Sequence, residues 1–173
     1  MNLLIRFLWV LLRAFVGKKT THLADPSVLH LQTWPNDLDV NGHMNNGRYL
    51  SIMDLGRIDL TVRLGFLKPI FKFGWRPVVA SIMIRYRRSL NPFQSFELHT
   101  RIVSWDHKWF YMEQKFVRHK KTVAIALVKG VFVGQHGNVP IEHLLREIGI
   151  AQSAPPLPAA FREWQQAEKT MLE

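Results

Sequence analysis

The sequence predicts an α+β domain in which an antiparallel sheet of five strands is associated with one long helix. Three observations point there. An alternating segment, Val28 to Trp34, precedes a long helical stretch. The apolar residues of that stretch cover more than one stripe, as in a helix embraced by a sheet. From Pro77 onward the apolar period switches to two and holds through four successive segments.

The elements follow in order. Val28-Leu29-His30-Leu31-Gln32-Thr33-Trp34 reads as a strand, ended by the turn residues Pro35-Asn36-Asp37. Asn45 or Asn46 offers an N-cap for a helix running to about Leu64, where Gly65 supplies the stop. Its apolar residues are Tyr49, Leu50, Ile52, Met53, Leu55, Ile58, Leu60, Val62 and Leu64. Gly56 costs about 1 kcal/mol against Ala in mid-helix, and a close approach to a strand would offset that. In the strand from Val78 to Arg88, Ile82, Ile84 and Tyr86 face one way and Met83, Arg85 and Arg87 the other. After the turn Asn91-Pro92-Phe93-Gln94, Phe96, Leu98, Thr100 and Ile102 lie opposite Glu97, His99 and Arg101. Trp109 to Val117 and Thr122 to Val133 pair across the basic turn His119-Lys120-Lys121. Pro140 to Ile148 reads as a short helix, Ala154 to Pro158 as a stiff linker, and Phe161 to Leu172 as an amphipathic tail helix.

A chain of 173 residues suits one domain. With 47% hydrophobic residues and 12% aromatics it carries enough apolar material for a core, which excludes wholesale disorder. It has no cysteine, so a disulfide framework, a thiolate metal site and a cysteine nucleophile are excluded. The net charge of +10 favours anionic partners. The basic residues are scattered, however: Arg6, Arg13, Lys18 and Lys19, then Arg85, Arg87 and Arg88, then Lys115 to Lys121. No zinc-finger spacing or basic-zipper pattern accompanies them, so nucleic acid is not an expected partner.

Met1 to Val16 is apolar except for Asn2, Arg6 and Arg13. As a helix it would span about 24 Å, short of the roughly 30 Å hydrocarbon core of a bilayer. Arg6 and Arg13 are seven apart and share one face with Asn2 and Gly17. A narrow cationic stripe on an apolar helix suits an anchor lying in the membrane interface. Arg13 interrupts the apolar run and no small-x-small cleavage site follows, which argues against a secretory signal. The other reading is an apolar helix packed on the body of the protein or on a partner subunit.

Chemistry concentrates in Asp37-Leu38-Asp39-Val40-Asn41-Gly42-His43-Met44-Asn45-Asn46, ahead of a helix N-terminus. Asp37-x-Asp39-x-Asn41-Gly42 reproduces the first half of a calcium loop, but the twelfth position, which needs a bidentate Glu, is Arg48. Zinc is no better served, because the loop holds one His and no second falls at ligand spacing. Acyl transfer fits. An Asp ionised at neutral pH can attack a thioester carbonyl or activate a water to do so. Amide N–H groups in the first turn of a helix point positive charge at the oxygen where negative charge develops.

Asp39-x-x-Gly42-His43-x-Asn45-Asn46-x-x-Tyr49-Leu50, followed by Asp54 and Arg57, resembles the signature of hot-dog thioesterases related to 4-hydroxybenzoyl-CoA thioesterase. Asp37-Leu38-Asp39-Val40-Asn41-x-His43 is also similar to plant acyl-carrier-protein thioesterases, and Tyr86-Arg87-Arg88-Ser89-Leu90 resembles the strand that follows the family's helix. Arg101, Trp105-Asp106, Phe110-Tyr111, Pro155-Pro156, Leu157-Pro158 and Trp164 extend the likeness to the superfamily's member-six branch, over roughly residues 28 to 170.

The resemblance implies a hot-dog fold, a five-stranded antiparallel sheet wrapped around the central helix. The domain would occupy residues 27–150, flanked by the N-terminal apolar helix of 1–19 and by a Pro-rich linker and tail helix over 151–173. It implies Asp39 as the catalytic carboxylate, with Asn41 and His43 as supporting carboxamide and imidazole. The helix N-terminus at Asn45 and Asn46 would be the oxyanion donor. Asp54 would be the acid if the chemistry came from mid-helix, though pairing with Arg57 accounts for it equally. Arg85, Arg87 and Arg88 could meet coenzyme A phosphates, but alternation sends them to opposite faces. A Cys or Glu that follows the Tyr-Arg-Arg element in the plant enzymes is replaced here by Ser89-Leu90.

The expected activity is hydrolysis of an acyl-CoA or acyl-carrier-protein thioester, with coenzyme A as part of the substrate and no metal or other cofactor. The alternative is a membrane-associated hot-dog protein that binds acyl thioesters with little or no turnover. Hot-dog dehydratase chemistry would need Asp-x-x-x-x-His, and the spacing from Asp39 to His43 is one short. A homodimer or homotetramer is implied, in the cytoplasm or on the cytoplasmic face of a membrane, which residues 1–16 would contact.

Overall fold

The computed structural model describes residues 2–17, 19 and 22–171. Met1, Lys18 and Leu172, which figure in the expectations above, lie outside the described residues. The helices are α1 (Asn2–Val16), α2 (Asn46–Arg63), α3 (Leu67–Phe73), α4 (Ile141–Glu147) and α5 (Ala159–Thr170). The strands are β1 (Ser27–Gln32), β2 (Arg76–Tyr86), β3 (Ser95–Trp105), β4 (Phe110–Arg118), β5 (Lys121–Gly134) and β6 (Gly137–Val139).

The sheet runs in the order β1-β3-β4-β5-β2 with every pair antiparallel, and short β6 extends β5. This is the five-stranded sheet expected, with one small strand added. The connection from β1 through α2 carries β2 to the far edge. That crossover lays α2 across the inner face, where Tyr49, Ile52, Met53, Leu55 and Leu60 are buried against the strands. The expected alternation of β3 holds, with Phe96, Leu98, Thr100 and Ile102 all facing the core.

Gly56 sits where α2 comes closest to the sheet. A Cβ there would lie 2.8 Å from Leu98 Cδ2 and 3.0 Å from Gln114 Nε2. The contact is braced by polar groups that satisfy one another, as burial requires. Gln114 donates to the Met53 carbonyl at 3.0 Å and to Thr100 Oγ1 at 2.9 Å, and its Oε1 accepts from Arg57 at 2.8 Å.

Several boundaries differ from the expectation: β1 ends at Gln32, two residues before Trp34, and α5 begins at Ala159, two residues before Phe161. The β4–β5 turn has only two residues, His119 and Lys120, both at positive φ (49° and 60°), as a tight hairpin requires; Lys121 already pairs with Arg118. Strand β2 ends at Tyr86, so Arg87 and Arg88 lie beyond it. Helix α3 has no counterpart in the periodicity, being only seven residues long, with Pro69 in its first turn.

The arginine-bearing face of α1 turns inward, with Arg13 half-buried. Arg6, Val10 and Ala14 are buried, while Leu4, Ile5, Leu8, Trp9, Leu12, Phe15 and Val16 are exposed on the other side. The helix packs on α2 by the face that carries its arginines. No described helix is long and apolar enough to cross a membrane. At the other end of the chain, α5 docks on the outer face of the sheet through Phe161, which packs with Tyr111 and Leu127.

Candidate functional site

Beyond β1 the chain makes a 3-10 turn, Pro35–Asp37, that turns the Asp37 side chain into the protein. Its carboxylate accepts the Trp34 N–H at 2.8 Å and both arms of the Arg6 guanidinium, at 3.1 and 2.7 Å. Arg48 Nε lies 3.2 Å away on the same group. A buried carboxylate costs several kcal/mol of desolvation, and two guanidinium partners offset it.

From this fixed point a closed loop projects. Leu38 bridges to Met44, Asp39 N–H donates to the His43 carbonyl at 3.0 Å, and Gly42 N–H donates to the Asp39 carbonyl at 3.0 Å. Gly42 takes φ 74°, a left-handed value suited to glycine. The Asp39 carboxylate accepts the Asn41 N–H at 2.9 Å, and His43 Nδ1 lies 3.7 Å from the same oxygen. Asp39 and His43 are thus brought together. Asn41 reaches the carboxylate through its backbone, while its side chain is exposed.

The loop re-enters the fold where Met44 N–H donates to the Leu90 carbonyl (2.8 Å) and Asn45 N–H to the Asp37 carbonyl (2.9 Å). Asn45, not Asn46, is the N-cap of α2, accepting Gly47 N–H at 2.8 Å. Asn46 opens the first turn, in which the Asn45 side chain takes the Gly47 N–H and the Asn45 carbonyl takes the Arg48 N–H (2.9 Å), so the Asn46 N–H is the first-turn amide left without an acceptor in the helix.

A cavity of about 270 Å³ lies at this helix start, lined by His43, Asn46, Tyr49, Tyr86, Arg87 and Arg88 among others. Asp39 does not line it; the His43 ring stands next to both. The two tyrosines are additions to the candidates read from sequence. Tyr86 donates its phenol to the Asn46 carbonyl at 3.0 Å, and its ring meets Tyr49 edge-on at 5.1 Å. Burial pushes the Tyr49 phenol up to about 12 and raises Tyr86 as well, so both remain donors near neutral pH. The only sequence signal for Tyr86 was its place in the Tyr-Arg-Arg element.

The opposite-face assignment of the arginines is corrected here. The N–H groups of Arg87 and Arg88 both donate to the Val123 carbonyl, at 2.8 and 3.1 Å. That arrangement ends the alternation, and both side chains border the cavity. Arg85 remains within β2 and is exposed away from the cavity.

Asp54 is separate. It lies eight residues into α2, about 12 Å along the axis from Asn46. It is exposed, forms an ion pair with Arg57, and stands at the mouth of a second cavity of about 250 Å³. That cavity is apolar, walled by Leu64, Phe66, Val78, Ile102 and Phe132 among others. Among the described residues, no group of three His, Asp or Glu side chains is arranged to hold a metal ion.

Residues 33–165 match the profile of the thioesterase-like superfamily. The chain is 42% identical over 113 residues to Protein THEM6 of Danio rerio, covering 65% of this chain and 56% of that one. The chain spans about half the length of the curated THEM6 relatives of Danio rerio and Xenopus laevis that it matches. Among solved structures it resembles YbaW, a probable thioesterase of Escherichia coli, with a TM-score of 0.65 at 23% identity, covering 70% of this chain and 94% of that one. It also resembles BH1999, a gentisyl-coenzyme A thioesterase, with a TM-score of 0.63 at 20% identity over 69% of this chain and 99% of the other. At those identities the structural likeness shows the fold, which is the hot-dog arrangement of sheet and central helix.

Proposed function

The chain belongs to the thioesterase-like superfamily, and from that premise we propose that it hydrolyses an acyl thioester of coenzyme A or of an acyl-carrier protein to a carboxylic acid and a thiol. The observation that carries the reading is the Asp39 carboxylate, held against His43 at 3.7 Å in a closed loop just ahead of the α2 N-terminus.

In the proposed reaction the thioester carbonyl lies at the His43 rim of the cavity, beside Asp39, with its oxygen toward the Asn46 N–H at the head of α2. That amide stabilises the oxyanion as the carbonyl carbon becomes tetrahedral. Asp39 either attacks that carbon, forming an anhydride that water then cleaves, or takes a proton from the attacking water. Either route expels the thiolate, which leaves as the thiol. His43 lines the cavity and lies 3.7 Å from the Asp39 carboxylate, whose oxygen it keeps oriented. Arg87 and Arg88 supply positive charge for the coenzyme A phosphates. Coenzyme A is therefore substrate, and the route uses no metal or resident cofactor.

Purified full chain is to be assayed against short, medium and long acyl-CoAs. Turnover abolished by Asp39→Ala with an unchanged circular dichroism spectrum supports the reading. Tight acyl-CoA binding without turnover at any chain length would replace it with the binding-protein alternative. Loss of turnover in Asp54→Ala rather than Asp39→Ala would move the chemistry to the second, apolar cavity.

Two properties of the surface bear on partners. Edge strand β2 exposes the apolar residues Val78, Val79 and Met83, and among the described residues no strand pairs with its open side. This supports a homodimer or larger homo-oligomer built on that edge, which light scattering of the purified chain measures. The outward face of α1 exposes Leu12 at 68%, Phe15 at 63% and Trp9 at 46%. It supports attachment to the cytoplasmic face of a membrane, with the apolar side in the lipid interface and the arginines turned to the protein. Flotation with vesicles tests it, and a full chain that stays with the soluble fraction would remove it.

A further inference from the structure

We infer that Arg6 of α1 is a positioning residue for the Asp39 loop, so that the N-terminal helix is a working part of the site and not an appendage to it. The inference rests on Asp39 carrying the proposed reaction.

Arg6 is 31 residues from Asp37 in sequence, yet its guanidinium grips both carboxylate oxygens of a side chain with no exposed surface. The same guanidinium donates to the Gln32 carbonyl at 2.8 Å, which ties down the end of β1. It therefore fixes the chain on both sides of the 3-10 turn. Arg48 approaches Asp37 from α2 on the Oδ1 side. One carboxylate thus joins the N-terminal helix, the central helix and the turn between them.

What hangs from that junction is the proposed site. The Asp37 carbonyl accepts the N–H of Asn45, the cap of α2. The next residue, Leu38, bridges to Met44, and the residue after that is Asp39. The distance from the His43 ring to Asp39 and the direction of the Asn46 N–H both follow from where Asp37 is held. Displacements near 1 Å at reacting groups are enough to cost about a hundredfold in rate. Arg13 lies on the same face of α1 but makes no bond to the loop; its guanidinium stands 5.6 Å from the Trp9 ring centre.

The experiment compares full-length wild type with Arg6→Lys, Arg6→Met, Arg13→Met and the double variant Arg6→Met/Asp37→Asn. It reads kcat and KM on a soluble acyl-CoA, together with hydrogen exchange at individual amides. Arg6→Met is expected to lower kcat by about tenfold or more with KM within about twofold, the signature of lost geometry rather than lost binding. Exchange should quicken at Asn41, Gly42 and Asn45 while β3 and β4 keep their protection. Arg6→Lys should restore part of kcat, and Arg13→Met should change neither readout. If Arg6→Met does not fold, the double variant, which leaves no lone carboxylate buried, should fold and still show the low kcat and the quickened loop.

Wild-type kcat and exchange in Arg6→Met or in the double variant would overturn the inference. So would equal losses in Arg13→Met, or exchange that quickens uniformly across the sheet. If the wild type hydrolyses no acyl-CoA, the proposed reaction fails on that result alone, and the exchange pattern still decides the role of Arg6.

Discussion

Arg48 Nε lies 3.2 Å from Asp37 Oδ1, at the position where a calcium loop of this spacing would place its bidentate glutamate. The loop that resembles a calcium site therefore carries its own cation, and its first carboxylate is buried and structural. The two aspartates of the loop divide their work: Asp37 holds the chain, and Asp39 faces His43 at its surface.

That division is testable by matched substitutions. Asp37→Asn leaves Arg6 and Arg48 facing a neutral group in a buried place, and is expected to cost about 3 kcal/mol of stability. Asp39→Asn affects a partly exposed side chain and should change stability by less than about 1 kcal/mol, while removing turnover. Urea unfolding and an acyl-CoA assay on both variants check this. Equal destabilisation by the two would mean that Asp39 is also structural.

The arginines at the end of β2 predict a binding effect with a defined pattern. Arg87 and Arg88 border the cavity at the α2 N-terminus, and Arg85 does not. Arg87→Gln and Arg88→Gln should each raise KM for acyl-CoA several-fold with kcat nearly unchanged, since phosphate contacts are equal in ground and transition states. The effect should shrink as salt rises. Arg85→Gln should leave KM unchanged, and a KM increase there as large as at Arg87 would place the phosphates elsewhere.

Gly56→Ala sets helix propensity against packing. Ala favours the helix by about 1 kcal/mol over Gly. The added Cβ would stand 2.8 Å from Leu98 Cδ2 and also press on the buried Thr100 and Gln114 side chains. Overpacking of a filled core costs about 1–3 kcal/mol, so net destabilisation is expected. A chemical denaturation midpoint at or above that of the wild type would show that α2 can retreat from β3.

Much of this fold was legible because it rests on local pattern. Period two marked β3, with Phe96, Leu98, Thr100 and Ile102 buried in turn, and the Asn45 cap marked the start of α2. What was not legible depends on distant partners. Alternation cannot show that one carbonyl, on Val123, takes the N–H groups of both Arg87 and Arg88 and so ends β2 early. Helical period showed that Arg6 and Arg13 share a face of α1, but not which face turns inward. Asp37, 31 residues away, decides that by offering Arg6 a buried carboxylate. The same holds within the site: Asp39 and His43 were readable as neighbours in one loop, whereas Tyr86 reaches Asn46 from the opposite edge of the sheet.

The tail helix gives a prediction in pH. Lys129 Nζ lies 2.8 Å from Glu168 of α5, and this contact joins the helix to β5. Burial pushes the Glu168 carboxyl up, but hydrogen bonds from Lys129 and Ser81 outweigh it and leave it below its ordinary value. A carboxyl depressed in the folded state binds fewer protons there than in the unfolded chain. Its stabilisation is therefore full above the unfolded value of about 4.3 and is lost as pH falls through the lower folded value. Asp106 moves in the same direction: burial raises it, and hydrogen bonds from Trp109 N–H, the Tyr111 phenol and Lys108 N–H outweigh that. Glu168→Gln should accordingly melt roughly 2–4 °C below wild type at pH 7, as about 1 kcal/mol does in a chain of this size. The gap should narrow as pH falls below the unfolded value of about 4.3 and close only as pH passes below the lower folded value. Melting curves of the two proteins from pH 7 to pH 3 make the comparison, and a gap that stays constant to pH 3 would mean that charge on Glu168 does not hold α5 in place.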